Sequence, residues 1–286
     1  MELRVLKYFL ALAREENISK AAEIIHISQP SLSKQLKELE EEIGKPLFIR
    51  GNRKIALTEE GILLRKRAQE IVDLVNITKQ ELTENAHDIK GEINIGSGES
   101  KIMTLIGKTM KHLLEHYPNI HFNLYSGNQD DVIDKLDKGL IDFGILIEPN
   151  DIKNYNYYKI PYPDTRGVLT TKDNPLAKLK YITKKDLNNI PLICSVQSLK
   201  NNELSSLLPE NPNIVATYNL VYNAALMVKE KVGSVICLEG LVNTAYTDLV
   251  FIPFQNDAKI YSYFIWKKYQ VLSKGSQRFL EEIQKL

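Results

Sequence analysis

The feature that most narrows what this chain can fold into is a change of texture near residue 90. Up to Asp88 apolar residues recur at helical spacing, and few Gly or Pro interrupt them. From Gly91 onward short β-rich runs alternate with helical ones: "EINIG", "HFNLYSG", "LIDFGILI", "IPLICSV", "VGSVICL" and "YSYFIWKK". That alternation builds α/β units around mostly parallel sheets. A chain of 286 residues has room for about two domains, each with its own core. The boundary falls at Ile89 to Gly91, and neither an internal repeat nor a low-complexity segment complicates it.

Composition removes several classes. No apolar run approaches the roughly 20 residues needed to span a bilayer. Met1-Glu2-Leu3-Arg4 opens without the apolar stretch and cleavage site of a signal peptide, and two Cys cannot form a disulfide framework. A reducing cytoplasm is therefore expected. The formal net charge is +1, so any nucleic-acid reading must rest on local charge.

Local charge is found in "NISKAAEIIHISQPSLSKQLKELEEEIG", residues 17 to 44. Ala21, Ala22, Ile24 and Ile25 give one helix a small-residue face that lets a neighbour approach closely. Ile27 and Ser28 make the turn, Ser28 suits an N-cap, and Pro30 sits in the first helical turn, where its missing N–H costs nothing. Leu32, Leu36, Leu39 and Ile43 share a buried stripe. Gln29, Pro30, Ser33, Lys34 and Lys37 lie opposite, with Ser31 in the same leading turn. A helix whose tip is small, polar and flanked by cations suits entry into a DNA major groove, and its dipole favours phosphate. The preceding "LRVLKYFLALARE" supplies Leu6, Phe9, Leu10 and Ala13 to the same core.

"PLFIRGNRKIALTEEG" then reads as two short strands joined at Gly51-Asn52. Arg50, Arg53 and Lys54 cluster at the tip, and residues 45 to 54 contain no acid. Three helices followed by a basic hairpin make a winged helix-turn-helix, with the wing placed for phosphate or minor-groove contact. Thr58 caps a long helix running to about Asn85. Leu64, Ala68, Ile71, Val75, Thr78 and Leu82 form a heptad-like seam along it, read as a dimer contact; a helix folded back on its own body is the alternative.

The stretch from Phe9 to Gly61 resembles the DNA-binding domain of LysR-type transcriptional regulators. The resemblance rests on Ala21-Ala22, Ser28-Gln29-Pro30-Ser31-Leu32-Ser33, Leu39-Glu40, Gly44, Pro46-Leu47-Phe48, Arg50, Leu57-Thr58 and Gly61 in family order. Downstream, "GEINIGSGES", "HYPNIHFNLYSGNQDDVIDKLDKGLIDFGI", "DNPLAK" and "SQRFLEEIQ" are similar to that family's effector-binding domain. The resemblance implies a winged helix-turn-helix at 1–58, a linker and dimerisation helix at 59–88, and a periplasmic-binding-protein-like α/β domain at 89–286. Its subdomains would be about 89–161 with 267–286, and about 162–266. It further implies dimers of dimers gripping an interrupted palindrome in promoter DNA, with RNA polymerase as a further partner. Carried over residue by residue, it puts Gln29, Pro30, Ser33 and Lys34 at bases or backbone. Position 34 is often Arg in the family, and Lys loses bidentate guanine readout, which moves Lys34 toward phosphate. Arg53 matches the wing residue near the minor groove. Lys37, Arg50 and Lys54 are assigned to phosphate from position alone.

The effector side follows from strand ends. "INIGSGESKIMTLIGKTM" is a strand, a Gly-containing turn and a helix, with Ser100 near the helix start; "HFNLYSG" ends before Asn128-Gln129; "PLICSVQS" ends in Ser195, Gln197 and Ser198. Three polar strand ends make a cleft for a small polar molecule, although each residue alone could be a plain helix cap. Ser97, Ser100, Lys101, Asn128, Gln129, Ser195 and Gln197 are the candidate effector residues, and the resemblance lifts Ser100 and Asn128 most. Glu99 would disfavour an anionic effector unless Lys101 offsets it. His112 and His116 share a helix face but have no evident third ligand, so no metal or cofactor is expected. Cys194 and Cys237 sit in apolar strands, where free Cys acts as a small hydrophobe; a thiol switch is the other reading. The Tyr-rich run 154–163 is placed at the subdomain crossover. No nucleophile–base pair or paired carboxylates suggest an enzyme. The reading is a DNA-binding regulator modulated by a small molecule; the alternative is a binding protein, or a regulator answering to redox or a partner protein.

Overall fold

The computed structural model describes residues 1–50, 55–83, 89–255 and 259–286. The chain divides into two compact units: Met1–Ile89 with Asp137–Leu140 and Tyr269–Lys274, and Lys90–Leu136 with Ile141–Lys268 and Gly275–Leu286.

The first unit begins with α1 (Leu3–Glu15), α2 (Ile18–Ile24) and α3 (Gln29–Ile43). Asn17 caps α2 by accepting the Lys20 N–H, and Ser28 caps α3 by accepting the Ser31 N–H. Leu6, Phe9 and Leu10 of α1 meet Ala21 and Ala22 of α2 and Leu32, Leu36 and Leu39 of α3 in one core. Ile43 departs from the expected stripe and is 38% exposed. It is the last residue of α3, which Gly44 ends in the left-handed region (φ 72°), so it sits beyond the core's edge.

Strands β1 (Phe48–Arg50) and β2 (Ile55–Leu57) pair antiparallel from Phe48↔Leu57 to Arg50↔Ile55. Gly51 to Lys54, which include the expected Gly51-Asn52 turn, lie outside the described residues. Glu40 accepts the Leu47 N–H at 2.7 Å, tying the hairpin to α3. Thr58 Oγ1 donates to Pro46 O at 2.8 Å and accepts the Gly61 N–H at 2.9 Å, starting α4 (Glu59–Thr83). A Cβ on Gly61 would stand 2.1 Å from Leu47 O, so only glycine lets α4 approach the hairpin this closely.

Along α4, Ala68 and Val72 are buried in the unit's own core, with Leu64 packed against it. Among the described side chains of α4, Ile62, Leu63, Ile71 and Leu74 are exposed, Leu63 at 59% and Leu74 at 54%, while Leu82 of the expected seam lies outside the described side chains. The expected single seam is therefore divided: its first members are internal, and the outward apolar residues are largely others.

The second unit runs through β3 (Gly91–Ser97), α5 (Met103–His116), β4 (Ile120–Ser126), α6 (Gln129–Asp137), β5 (Phe143–Ile147) and β6 (Tyr155–Lys159). It continues through β7 (Arg166–Thr171), β8 (Leu192–Ser195), α7 (Val196–Lys200), β9 (Ile214–Tyr218), α8 (Val221–Lys229), β10 (Ser234–Leu238) and β11 (Leu249–Pro253). It returns through β12 (Ser262–Lys267) and ends with α9 (Lys274–Ile283). One sheet has the order β4-β3-β5-β12-β6, the other β11-β7-β10-β8-β9. β3 is parallel to β4 and β5, and β8 is parallel to β9 and β10. Phe143, Phe264 and Phe279 stack in the first sheet's core with ring centroids 4.9 to 5.9 Å apart.

Two expectations need correction. β12 belongs to the first sheet, so the return from the second subdomain precedes Ser262 rather than falling at 266/267. The Tyr run is the crossover only in its second half: Tyr155–Lys159 is the edge strand β6, with Tyr155 buried and Tyr157 exposed, and residues 160–165 lead from it to β7 in the other sheet.

Gly61→Ala should destabilise the protein by about 1–3 kcal/mol, the usual cost of overpacking. Urea unfolding of the full chain checks this, and a change under about 0.5 kcal/mol, the range of ordinary surface substitutions, would contradict the close approach.

Candidate functional site

The leading turn of α3 is held from behind and open in front. Leu32, Leu36 and Leu39 anchor its inner face, while Ser28, Gln29, Pro30 and Ser31 are exposed and Ser33 is half-buried. Gln29 Nε2 donates to Ser33 Oγ at 3.0 Å, and the Ser28 and Ser31 hydroxyls lie 2.8 Å apart. Lys34 and Lys37 extend from the outer face toward Glu38 at 3.9 Å and Glu41 at 3.4 Å. Both are i,i+4 pairs between exposed side chains, worth little and readily exchanged for another anion. Arg50 ends β1, while Arg53 and Lys54 fall outside the described residues.

In the second unit, the ends of β3, β4, β8 and β9 surround a cavity of about 90 Å³. Glu99, Asn128, Ser195, Gln197, Tyr218 and Asn219 supply polar groups, and Ile147, Leu204, Ile236 and Leu238 supply apolar wall. Arg166, 9% exposed, sends Nη1 to Glu203 O at 3.3 Å and Nη2 to Glu203 Oε2 at 3.4 Å. Glu203 also accepts from Ser198 Oγ at 2.9 Å. Tyr218 donates its hydroxyl to Ile236 O at 2.7 Å, and burial pushes its pKa well up, so it stays a neutral donor. Several contacts join the two subdomains: Gln129 N–H to Gln197 Oε1 at 2.7 Å, the Val221 N–H to the Glu99 carboxylate, Lys101 to Glu239 at 3.2 Å and Lys200 to Asp130 at 2.6 Å.

The expected effector residues separate on this map. Asn128, Ser195 and Gln197 line the cavity. Asn128 also caps α6 by accepting the Asp131 N–H, and Ser195 caps α7 by accepting the Ser198 N–H, so each of these two residues both lines the cavity and caps a helix. Gln129 reaches the site through its backbone N–H. Ser97 is buried and donates to Gly98 O at 2.7 Å. Ser100 is buried too; it donates to Asp164 Oδ2 at 2.6 Å and accepts the Ile102 N–H. Desolvation raises the pKa of Asp164. Lys101 turns to Glu239 rather than to Glu99. Sequence reading missed Arg166, Glu203, Tyr218 and Asn219. Asn219 follows β9 as Asn128 follows β4, a signal that could have found it; Arg166 and Glu203, 37 residues apart, carry none.

Residues 3–62 match the family model "Bacterial regulatory helix-turn-helix protein, lysR family", and residues 86–286 match "LysR substrate binding domain". The chain belongs to the LysR family of DNA-binding transcriptional regulators. It is 34% identical over 187 residues to the regulator YtlI of Bacillus subtilis, covering 65% of this chain and 60% of that protein. It is 29% identical to the Hca operon transcriptional activator HcaR of Escherichia coli over 94% of this chain and 92% of that one. Among solved structures, a full-length OxyR variant from Pseudomonas aeruginosa shares the fold with TM-score 0.75 at 20% identity, covering 100% of this chain and 94% of that chain. CbnR complexed with its target DNA does so with TM-score 0.58 at 21% identity, covering 100% and 99%.

Another LysR-family relative is a hydrogen peroxide-inducible genes activator of Dickeya chrysanthemi, 26% identical over 68% of this chain and 63% of that protein. In the present chain both thiols are free and buried. Cys194 packs in one core of the second sheet and Cys237 in the other, on opposite faces of paired strands. Burial pushes Cys194 up to about 11, and burial together with nearby Glu99 pushes Cys237 up to about 12. At pH 8 the thiolate fractions are then about 10⁻³ and 10⁻⁴, and the thiolate is the reactive form. Native protein at pH 8 should be alkylated by iodoacetamide at least 100-fold more slowly than free cysteine, with both sites reacting after unfolding. Fast modification of either Cys in the native state, read by mass spectrometry, would overturn this.

Proposed function

We propose that this LysR-family regulator is cytoplasmic, binds promoter DNA sequence-specifically through the leading turn of α3 and the basic wing, and is modulated by a small polar molecule in the second unit's cavity. The observation carrying the DNA half is the geometry of α3: three buried leucines hold it from behind, leaving Gln29, Pro30, Ser33 and Lys34 free at the front. In this reading Gln29 and Ser33 face base edges, and Ser28 and Ser31 shape the tip. Lys34, Lys37, Arg50 and Lys54 meet phosphates, and Arg53 approaches the minor groove. The ligand half is supported by a cavity at which four strand ends bring polar groups together.

Self-association through α4 is part of the same reading, supported by Ile62, Leu63, Ile71 and Leu74 standing exposed on one helix. A tetramer on an interrupted palindrome, with RNA polymerase as a further partner, completes it. The protein has no catalytic step, cofactor or resident metal in this reading. Among the described residues no helix is long and apolar enough to cross a membrane. A redox-driven alternative is disfavoured by the buried, protonated thiols.

Fluorescence anisotropy on a site selected from random DNA by the wild-type protein, and on scrambled DNA, tests the division of labour. Lys37→Ala should weaken binding to both DNAs alike and lower the salt slope by about one. Gln29→Ala should cost about 1–3 kcal/mol on the selected site and little on scrambled DNA. Equal relative loss on the two DNAs for both variants would sink the proposed roles.

A further inference from the structure

The cavity's charge inventory bears on what it holds. Among the described residues its wall carries three ionised groups: Glu99, Arg166 and Glu203. Arg166 and Glu203 are paired with one another and nearly out of solvent. Glu99 is the remainder. The neighbouring cation, Lys101, points to Glu239 at 3.2 Å in an exposed pair rather than to Glu99. The Glu99 carboxylate instead accepts the N–H of Val221, the first residue of α8. It thereby occupies the helix terminus that would otherwise attract an anionic ligand. At the α6 end of the cleft the Gln129 N–H already donates to Gln197, and Asp131, whose carboxylate accepts the Asn128 N–H, stands in the first turn, while Asp130 there is paired with Lys200. An incoming carboxylate would thus meet the Glu99 carboxylate at one helix start and an N–H already in use at the other. An ammonium group meets an acceptor with one N–H partner and unused lone pairs. Arg166, which also lines the cavity, uses two of its guanidinium N–H groups on Glu203 and has others with which to hold a carbonyl, hydroxyl or carboxylate oxygen of the same molecule.

We propose that the molecule bound in this cavity carries a protonated amine that pairs with Glu99 and has no net negative charge, as in a neutral α-amino acid. The inference rests on the reading of this cavity as the effector site.

The test uses matched probes that differ only in the amine: L-alanine with propionate, L-serine with 3-hydroxypropionate, and L-glutamine with glutaramate, extended to the remaining amino acids and to putrescine. Thermal shift and titration calorimetry are run on the full chain. The expected result is that at least one amine-bearing probe binds and its amine-free partner binds at least tenfold more weakly. Glu99→Gln, whose amide oxygen still accepts the Val221 N–H and so keeps the fold, should weaken the amine probe at least tenfold. A carboxylate that binds as tightly as its amine partner, is not weakened in Glu99→Gln, and is lost when Leu241→Trp fills the cavity would overturn the amine assignment while leaving the effector site standing. Amine binding that survives Leu241→Trp would overturn the site itself. No binding by any probe overturns the amine assignment.

Discussion

Parallel strand pairing is the constraint on which the ligand end of this protein depends. β3 with β4 and β5, and β8 with β9 and β10, run the same way, so each connection between them must pass through a crossover that carries a helix in most cases. Strand C-termini and helix N-termini therefore collect along one edge of each sheet. Glu99 lies two residues beyond β3, Asn128 two beyond β4 and Asn219 one beyond β9, while Ser195 is the last residue of β8. All four line one cavity although they are spread over 121 residues of sequence. The topology, rather than any local motif, brings them together.

Polar groups gathered in this way must be satisfied whether or not a ligand is present, because an unpaired buried donor or acceptor costs roughly 1–3 kcal/mol. The chain satisfies them with itself. Glu99 takes the first N–H of α8, Gln197 takes the first N–H of α6, and Lys200 meets Asp130 near the rim. A ligand must exchange with these contacts, so only the surplus over what it displaces counts as affinity. In the proposed function, the same exchange would give a ligand leverage on the angle between the subdomains. Each displaced contact joins one subdomain to the other, so occupancy and closure share the same hydrogen bonds.

What could be read from the sequence follows the range of the interactions involved. The N-terminal unit was legible almost residue by residue because its determinants are local: Ser28 caps within three residues, and Leu32, Leu36 and Leu39 lie within two helical turns. Motif positions with no evident reason in the sequence acquire one in space. Glu40 binds the N–H of Leu47, Thr58 grips Pro46, and Gly61 makes room for Leu47 O. In the second unit the strands were legible, but which polar strand end faces the cavity was only partly so. Ser100 looked suited to a ligand from its place before a helix, yet Asp164, 64 positions away, takes its hydroxyl. Arg166 was invisible for the complementary reason: its guanidinium partner, Glu203, lies 37 positions away.

The long helix α4 shows where periodicity stops being informative. At 3.6 residues per turn, Leu64, Ala68 and Val72 lie on one side, while Leu63, Ile71 and Leu74 fall on the adjoining side. The stripe drawn from sequence, Leu64 through Ala68 and Ile71 to Val75 and Thr78, follows the border between them. Spacing alone cannot separate a face that packs on its own unit from a face that needs a second chain, since both obey the same repeat. Burial separates them: the first set completes the core around Phe9 and Leu12, and the second stands exposed, Leu63 and Leu74 by more than half. The proposed self-association therefore points to Leu63, Ile71 and Leu74, on the outer side of α4, rather than to Leu64 and Ala68, which the unit's own core already uses.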